Sequence, residues 1–337
     1  MSLTSALESL QSMYTQELGP RLKAIEDAFD APPVPASKPF VIRADGVAFS
    51  TFTRGLVKPF DYRLKDAMVA TTVDLMARFQ PLCAYHHSDE ISLIYPAAMP
   101  DASDNYDESG VLVPPMDVDS TDSAALNTSN KTKKQKHVEK THMYSGRVQK
   151  LASVVASYAS ARLNYHLSLY DWSDRPNHVA ARMKGHEAYF DGRVVPLPNM
   201  ASAMDCIFWR SNFDGFRNSV SGVAQFHFSH SELQGKNLRQ LLEMLSTKNV
   251  DVMETYGPKY LFGTWIKKEL YTVSKDELEP EIAKRLADGA VVVRKRFRTG
   301  SFNWADFSAS DRVRFIAAKT WPTYAAAPPK DDLKESK

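Results

Sequence analysis

Acidic residues at the ends of two short apolar segments are the part of this sequence best suited to catalysis. Asp45 closes the segment F-V-I-R-A-D-G, and Asp89 and Glu90 lie in the middle of Y-H-H-S-D-E-I-S-L-I-Y. A carboxylate beside a buried apolar strand loses hydration and needs a neutralising partner. Because oxygen ligands favour Mg²⁺ over zinc, we expect a shared divalent cation, with the Gly46 carbonyl as a further ligand. Asp and Gly also dominate ordinary turns, so the pattern alone leaves both interpretations open.

A phosphate-bearing substrate would account for several basic residues. Two metal ions bridged by the carboxylates could activate a hydroxyl nucleophile and hold a leaving phosphate. Ser145 is a candidate N-cap, which places Arg147 and Lys150 in the first turns of a long helix. Cations there oppose the helix dipole unless an anion such as a triphosphate binds to them and to the backbone N–H groups. Lys58 is a third candidate cation, and side chains that merely extend into water remain the alternative.

Two other groups of residues have less specific patterns. His86 with His87, and His227 with His230, are candidate metal ligands, but histidine pairs without a third ligand are commonly structural or surface groups. A basic, aromatic segment near the C-terminus could grip phosphates and stack a base, and a solvated sheet edge explains it equally well. This segment contains Arg294, Lys295, Arg296, Phe297, Arg298, Phe302 and Trp304.

Composition excludes several other classes of protein. The 337 residues carry a formal net charge of +2, so affinity for nucleic acid must come from local basic patches. Two cysteines, Cys83 and Cys206, have neither zinc-type spacing nor the density of a disulfide framework. No apolar run approaches the ~20 residues that span a bilayer, and the N-terminus lacks a secretory signal. We therefore expect a cytoplasmic protein with no membrane partner.

Periodicity and composition divide the chain into five segments. Residues 1–38 predict an amphipathic helix followed by a proline-rich linker. Residues 39–200 predict a catalytic domain, interrupted at 97–143 by an acidic and then lysine-rich insertion that cannot bury a core and is expected to be disordered. Residues 201–326 predict a C-terminal helical and β-rich region, and 327–337 a polar tail. The apolar stripe of the first helix consists of Leu3, Leu7, Leu10, Tyr14 and Leu18.

The order of the expected elements predicts an α+β fold with a split β-α-β, ferredoxin-like palm and helices on one face. A strand is expected at Phe40–Ala44, a helix at Asp61–Phe79, two strands within Cys83–Tyr95 and a long helix at Ser145–Tyr170. The later expected elements are a strand and turn at Ala188–Leu197, helices at Met200–Trp209, Asp214–Phe228 and Asn237–Lys248, and a basic strand at Ala290–Phe297.

Several of these motifs, in this order, resemble the tRNA(His) guanylyltransferase family. The matching motifs are R-A-D-G-V-A-F at 43–49, K-P-F-D-Y-R at 58–63, A-Y-H-H-S-D-E-I-S at 84–92 and F-D-G-R-V-V at 190–195. The resemblance extends from about Pro39 to the basic C-terminal strand, apart from the insertion. It implies a polymerase-like palm, two Mg²⁺ ions, a homotetramer, tRNA as the partner, and ATP and GTP or other nucleoside triphosphates as substrates.

The resemblance also implies a role for each matching residue. Asp45 and Asp89 would be the metal carboxylates, Gly46 the backbone ligand, and Glu90 the last member of the acidic motif. Lys58, Asp61, Arg147 and Lys150 would hold the triphosphate or serve activity as polar groups. The nucleotide-contacting segments would be Asp45, Gly46, Val47, Ala48, Phe49, Ser50, Ser88 and Asp89.

The implied chemistry is the addition of nucleotides to the 5′ end of tRNA, in the 3′-to-5′ direction, after ATP-dependent activation of the 5′-phosphate. Eukaryotic members specific for tRNA(His) carry H-I-N-N-L-Y-N shortly after a W-R pair. In this chain Trp209-Arg210 is followed by S-N-F-D-G-F-R-N-S-V, which keeps Asn218 but not the histidine. The departure favours the branch that repairs truncated tRNA 5′ ends by templated addition. The alternatives are a strict tRNA(His) guanylyltransferase, a palm-type nucleotide cyclase and a catalytically silent RNA-binding relative.

Overall fold

The computed structural model describes residues 19–99, 140–287 and 290–322 of the chain. The apolar stripe expected on residues 3–18, most of the expected insertion, and the polar tail at 327–337 lie outside these described residues. His142, at the end of the expected insertion, is buried: its Nε2 lies 2.9 Å from the Pro35 carbonyl and its ring packs edge-on against Phe40. His142 and Met143 therefore belong to the packed part of the chain, although the sequence assigns them to the expected insertion.

Apolar and β-branched residues bounded by turn residues form the strands. All neighbouring strands are antiparallel, in the order β4-β1-β3-β2-β5-β6. The first four strands have the order of a ferredoxin-like fold, so the expected split β-α-β palm is confirmed. The strands are β1 Phe40–Gly46, β2 Cys83–His87, β3 Glu90–Tyr95, β4 Phe190–Pro196, β5 Thr264–Val273 and β6 Val292–Gly300.

Helices cover both faces of this sheet. None of the helices in the described ranges is both long enough and apolar enough to cross a membrane. The helices are α1 Gly19–Phe29, α2 Phe49–Phe52, α3 Tyr62–Phe79, α4 Val148–Ser168, α5 Asn177–Lys184, α6 Met200–Phe208, α7 Phe216–His227, α8 His230–Leu233, α9 Leu238–Thr247, α10 Val252–Tyr256, α11 Pro258–Leu261, α12 Pro280–Ala283 and α13 Ala309–Ala317. A π-helical turn, Trp209–Gly215, joins α6 to α7, and 3₁₀ turns occupy Met143–Gly146, Lys275–Glu277 and Trp304–Asp306.

Alternation along β1 separates the two cores that these helices build on the sheet. Ile42 and Ala44 pack beneath α3 and α4, whereas Val41 packs beneath α6 and α13. The second of these cores includes Trp265 of β5, which follows the predicted boundary at residue 200. Because β5 also pairs with β2 in the same sheet, that boundary crosses a continuous sheet and a shared core.

The predicted start of the long helix is wrong for a reason of backbone conformation. Helix α4 begins at Val148 and not at Ser145, because Ser145 (φ 55°) and Gly146 (φ 72°) adopt left-handed conformations that a helix cannot continue. Arg147 is the N-cap of α4, and its side chain makes no capping hydrogen bond. The strand expected within Ala188–Leu197 is confirmed as β4, which pairs with all of β1.

Candidate active site

Strands β1, β3 and β4 bring three acidic side chains into one row across the sheet. Asp45 lies opposite Glu90 on one side and opposite Asp191 on the other. Residues directly opposite each other share a face of the sheet, and here it is the face beneath α6 and α13. The amide of Gly46 donates to the carbonyl of Asp89 at 3.0 Å, which holds the β2–β3 turn beside the end of β1. The structure therefore brings Asp45, Asp89 and Glu90 together.

Left-handed residues shape the two turns that carry these carboxylates. Ala48 (φ 54°) precedes α2, and Ser88 (φ 52°) begins the two-residue turn between β2 and β3. Non-glycine residues in this conformation cost about 1–3 kcal/mol and cluster at functional sites. A Cβ at Gly46 would lie 2.4 Å from the Phe49 ring, so only glycine fits between β1 and α2. Packing against Phe49 thus explains the glycine at position 46, whereas the metal-ligand hypothesis needs only the carbonyl of this residue.

Asp45 and Asp89 lack a cationic partner in the described part of the chain. Burial raises the pKa of Asp89 above its ordinary value, hydrogen bonds from its own amide and from Ser88 oppose that rise, and the nearby Asp45 carboxylate adds to it. Two adjacent oxygen ligands in need of positive charge fit a divalent cation such as Mg²⁺. No cluster of three or more His, Cys, Asp or Glu side chains suited to a metal occurs among the described residues. An ion here would therefore rely on these two carboxylates, the Gly46 carbonyl, water and substrate oxygens.

Glu90 is already neutralised, unlike the other two carboxylates. Its Oε2 lies 3.1 Å from a terminal nitrogen of Arg210 and 3.9 Å from Nε of Arg43, and Ser92 donates to its Oε1 at 3.3 Å. Burial raises the pKa of Glu90, while the two arginines lower it. The geometry gives Glu90 a positioning role, because it ties the π-helical turn to the sheet beside Asp45.

A cleft opens beside Asp89, between α2, α3, the β2–β3 turn and α7. Its lining combines apolar side chains with three lysines, the combination that an aromatic base carrying phosphates requires. The predicted nucleotide contacts that line the cleft are Phe49, Ser50, Ser88 and Asp89, whereas Asp45, Gly46, Val47 and Ala48 do not line it. The apolar lining residues include Leu56 and Phe60, and the three lysines are Lys58, Lys65 and Lys259.

Asp61 borders this cleft, but its carboxylate oxygens are occupied by hydrogen bonds within the protein. Its Oδ1 accepts from the amide and Nε of Arg63 at 3.1 and 3.0 Å, and its Oδ2 accepts from the Val57 amide at 3.1 Å. A terminal nitrogen of Arg63 also lies 2.9 Å from Oδ2. Although burial would raise the pKa of Asp61, these hydrogen bonds lower it below its ordinary value. The structure therefore makes Asp61 the N-cap of α3 and the support of the Val57–Arg63 loop, without a free oxygen for a nucleotide.

Arg147 and Lys150 do not reach this cleft. The Gly146 carbonyl accepts from the Val34 amide at 2.9 Å, and His142 packs on Phe40, so the start of α4 lies near the first residue of β1. Asp45 lies at the other end of β1, and α4 covers the face opposite its side chain. The arrangement of Lys58, Arg147 and Lys150 around one triphosphate, expected from the sequence, is therefore not formed within one chain.

The histidines of the acidic motif contact the cleft in different ways. Nε2 of His87 lies 2.9 Å from the Ser219 hydroxyl, which donates to the Tyr260 carbonyl at 2.7 Å. Burial lowers the pKa of His87 to about 4, so the ring is neutral at physiological pH. His86 is 3% exposed, and its Nδ1 is buried without a hydrogen-bond partner. The pair belongs to the wall of the cleft and not to a metal centre.

The basic C-terminal segment forms β6, the edge strand of the sheet. Arg296 and Arg298 both pair with Glu269 of β5, at 2.6 and 2.9 Å. Phe302 and Trp304 are 6% and 1% exposed and belong to the core beneath α6 and α13, so neither can stack a base.

Sequence reasoning missed the residues that reach the cleft from distant parts of the chain. Lys259 and Tyr260 come from α11, and Ser219 and Gly222 from α7. Only the fold brings these segments to the β2–β3 turn. Lys65 is different, because a helix capped at Asp61 places residue 65 one turn along, near Lys58. The spacing of Lys65 from the helix cap was therefore the feature of the sequence that could have predicted this residue.

Comparison with known proteins agrees with the geometry. The family model described as tRNAHis guanylyltransferase matches residues 20–198, more than half of the 337 residues. An uncharacterised protein of Acanthamoeba polyphaga mimivirus is 29% identical over 271 residues, which cover 78% of this chain and 81% of that protein. A bacterial tRNA(His) guanylyltransferase-like protein solved with ATP is 27% identical, with a TM-score of 0.54, and the match covers 74% of this chain and 88% of that one. A bacterial guanylyltransferase-like structure with GTP is 23% identical, with a TM-score of 0.55 and coverage of 90% and 100%. The chain belongs to the tRNA(His) guanylyltransferase family of nucleotidyltransferases.

Proposed function

We propose that this protein adds nucleotides to the 5′ end of tRNA in the 3′-to-5′ direction, after ATP-dependent activation of the 5′-monophosphate. One observation carries the proposal: the carboxylate of Asp89 borders a cleft lined by apolar side chains and lysines, and the carboxylate of Asp45 lies close enough to Asp89 to raise its pKa. The bacterial relative whose structure holds ATP supports a nucleoside triphosphate as the ligand of this cleft. The family description supports tRNA as the acceptor and GTP as a donor.

The proposed reaction consists of two phosphoryl transfers. An oxygen of the RNA 5′-monophosphate attacks the α-phosphorus of ATP, and pyrophosphate leaves. The 3′-hydroxyl of an incoming nucleoside triphosphate then attacks the 5′-phosphorus of the activated RNA, AMP leaves, and the hydroxyl proton is lost. Both steps depend mainly on positioning and charge neutralisation, which this site of carboxylates and lysines suits.

Each site residue has a separate part in this proposal. Lys58 and Lys259 bind phosphate oxygens, and Phe49, Ser50 and Ser88 contact the nucleotide. Asp45 orients the attacking hydroxyl and accepts its proton in this proposal. Mg²⁺ held by Asp45, Asp89 and the Gly46 carbonyl would supply Lewis-acid stabilisation of the phosphoryl oxygens.

The stretch after Trp209-Arg210 favours templated repair of several tRNAs over exclusive action on tRNA(His). It lacks the histidine of the tRNA(His)-specific motif, and Asn218, which it keeps, lines the cleft. We include the homotetramer expected from the resemblance in the proposal, and sedimentation velocity at several protein concentrations tests it.

The test uses a tRNA that lacks its first nucleotide and carries a 5′-monophosphate. It is incubated with Mg²⁺ and ATP labelled at the α-phosphate, with and without the other nucleotides. We expect transfer of AMP to the RNA, followed by extension, and loss of both in Asp45→Asn and Asp89→Asn. Asp191→Asn is the matched control, because this carboxylate lies in the same row but pairs with Arg193 at 3.4 Å. Equal loss of activity in all three variants, or cyclised nucleotides with unmodified RNA, would contradict the proposal.

A further inference from the structure

The π-helical turn Trp209–Gly215 is anchored to the protein along its inner side. The hydroxyl of Ser211 donates to the buried Phe262 carbonyl at 2.9 Å, and Nδ2 of Asn212 donates to Oδ1 of Asn303 at 2.8 Å. Turns of this kind are rare and occur frequently at functional sites. The anchoring contacts fix the backbone, so the side chains on the outer side of the turn have a defined position.

Two large aromatic side chains occupy that outer side. Trp209 is 51% exposed and Phe213 is 59% exposed, and their rings stack with centroids 6.1 Å apart and planes at 30°. Adjacent aromatic rings that a rigid backbone holds in water indicate a surface that a ligand or partner covers. We call Trp209 and Phe213 the aromatic platform.

Positive charge lies beside the aromatic platform. The guanidinium of Arg210 lies 5.3 Å from the Trp209 ring centroid, and the side chain of Arg217, on the next turn, is 54% exposed; both arginines also pair with Asp214, at 3.4 and 2.7 Å. Nε of Arg43, on the sheet below, lies 3.9 Å from the Glu90 carboxylate and is buried without a hydrogen-bond partner, so three guanidinium groups share the two carboxylates Glu90 and Asp214. A flat ligand that carries negative charge complements aromatic rings flanked by guanidinium groups. A nucleobase with its phosphate has this chemistry, whereas a purely apolar protein surface does not.

The aromatic platform is also linked, through Arg210, to the row of acidic side chains formed by Asp45, Glu90 and Asp191. Arg210, next to Trp209 in the chain, pairs with Glu90, and Glu90 lies directly opposite Asp45. An RNA whose 5′ end reaches Asp45 therefore approaches the platform. A tRNA that has lost its first nucleotide has an unpaired base on the opposite strand at that end. Stacking on aromatic rings would hold such a base whatever its identity, because every base has a π-face.

We infer that the aromatic platform stacks an unpaired nucleobase of the RNA beside the reacting 5′ end, an inference that rests on the proposed function. The platform would then hold the opposing base in place while an incoming nucleotide pairs with it. Trp209 and Phe213 are binding residues in this account, and they take no part in the phosphoryl transfers.

The direct test places 2-aminopurine at the unpaired position of a 5′-recessed RNA hairpin. Binding is followed in the Asp45→Asn protein, so that no extension disturbs the signal. We expect fluorescence quenching on binding, and loss of that quenching with Trp209→Ala or Phe213→Ala. In the otherwise wild-type enzyme, each alanine variant should raise the KM for the recessed RNA by about 5- to 150-fold, with ATP affinity unchanged. Trp209→Phe keeps a ring and should restore most of the affinity.

A matched control separates this role from a general effect of losing an exposed aromatic residue. Phe226, which is 54% exposed near the end of α7, should be replaceable by alanine without change in quenching or KM. Unchanged quenching and KM in Trp209→Ala and Phe213→Ala would overturn the inference. A change of oligomeric state in sedimentation, with RNA affinity intact, would also overturn it and assign the platform to a subunit interface. If quenching behaves as expected but wild-type enzyme never extends RNA, the proposed function fails and the platform assignment stands.

Discussion

The substitution Asp61→Asn distinguishes a structural role from a nucleotide-binding role at the entrance of the cleft. Asp61 and Arg63 are 6% and 3% exposed, and four donors converge on the two carboxylate oxygens. Asparagine keeps the size of the side chain and one acceptor, but it turns an NH₂ group toward these donors. Breaking a buried ion pair costs about 3–5 kcal/mol. Because Arg63 keeps a second, half-exposed partner in Asp174, we expect the free energy of unfolding to fall by about 3 kcal/mol.

Equilibrium urea unfolding measures this loss, and isothermal titration with ATP, performed well below the unfolding transition, measures binding. Because no oxygen of Asp61 is free, we expect the folded variant to bind ATP within about threefold of the wild-type Kd. Lys58→Ala, at the same loop, should show the reverse: nearly unchanged stability and weakened ATP binding. A variant Asp61→Asn that is as stable as the wild type but cannot bind ATP would refute the structural account.

The stability difference between the wild type and Asp61→Asn depends on pH in one direction. The pKa of Asp61 is lowered in the folded protein, so its contribution to stability is complete above the ordinary pKa of about 3.9 and is lost as the pH falls through the lowered value. The stability gap between wild type and Asp61→Asn should therefore be constant near neutral pH. It should close only in acid below about pH 4.

Three further predictions concern the framework of the site. Burial lowers the pKa of Lys267 to about 8, so between pH 8 and 10.5 the unfolded chain binds more protons than the folded protein does. The unfolding free energy of the wild type relative to Lys267→Met, measured by urea titration, should therefore rise by up to about 3 kcal/mol over this pH range. A Cβ at Gly192 would lie 2.4 Å from the Ala152 carbonyl of α4, so Gly192→Ala should cost about 1–3 kcal/mol, whereas Gly222→Ala, with nothing within 4 Å, should not lower the melting temperature. Glu90→Gln can still accept a hydrogen bond from Arg210, so in the RNA extension assay it should retain at least about tenfold more activity than either Asp45→Asn or Asp89→Asn.

Local patterns were sufficient to predict the elements that carry the carboxylates. The apolar run of β1 ends in Asp-Gly, and Asp61 before an amphipathic stretch predicts the start of α3, which begins at Tyr62. The two short strands around Ser88 and Asp89 are confirmed as β2 and β3. These elements follow from alternation, periodicity and turn chemistry within a few residues, so the sequence alone shows them.

Elements that depend on tertiary packing were not predictable in this way. Strand β5 was missed because Lys267, Lys268 and Glu269 interrupt its apolar residues, and only the fold shows that Lys267 is fully buried, with its Nζ donating to the Leu82 and Ile316 carbonyls. Likewise, Ser145 has the chemistry of an N-cap, but its left-handed conformation delays α4 to Val148.

Roles of site residues were harder to predict than their positions. The sequence placed Asp61 and Glu90 at the site, where the structure also has them. The sequence could not show that Arg63 occupies the carboxylate oxygens of Asp61. Nor could it show that Arg210, 120 positions along the chain, neutralises Glu90. Partners that are distant in sequence decide whether a carboxylate is free to act.

The most direct test of the proposed 5′ addition is to sequence the 5′ ends of products from one truncated, 5′-monophosphorylated tRNA in four versions that differ only in the base opposite the missing nucleotide. All four nucleoside triphosphates and Mg²⁺ are supplied. The account predicts that the RNA gains a nucleotide at its 5′ end, and that its identity follows the opposing base in all four versions and in tRNAs other than tRNA(His). Addition of G to tRNA(His) alone would contradict templated repair, and the absence of any 5′ addition would contradict the proposed function itself.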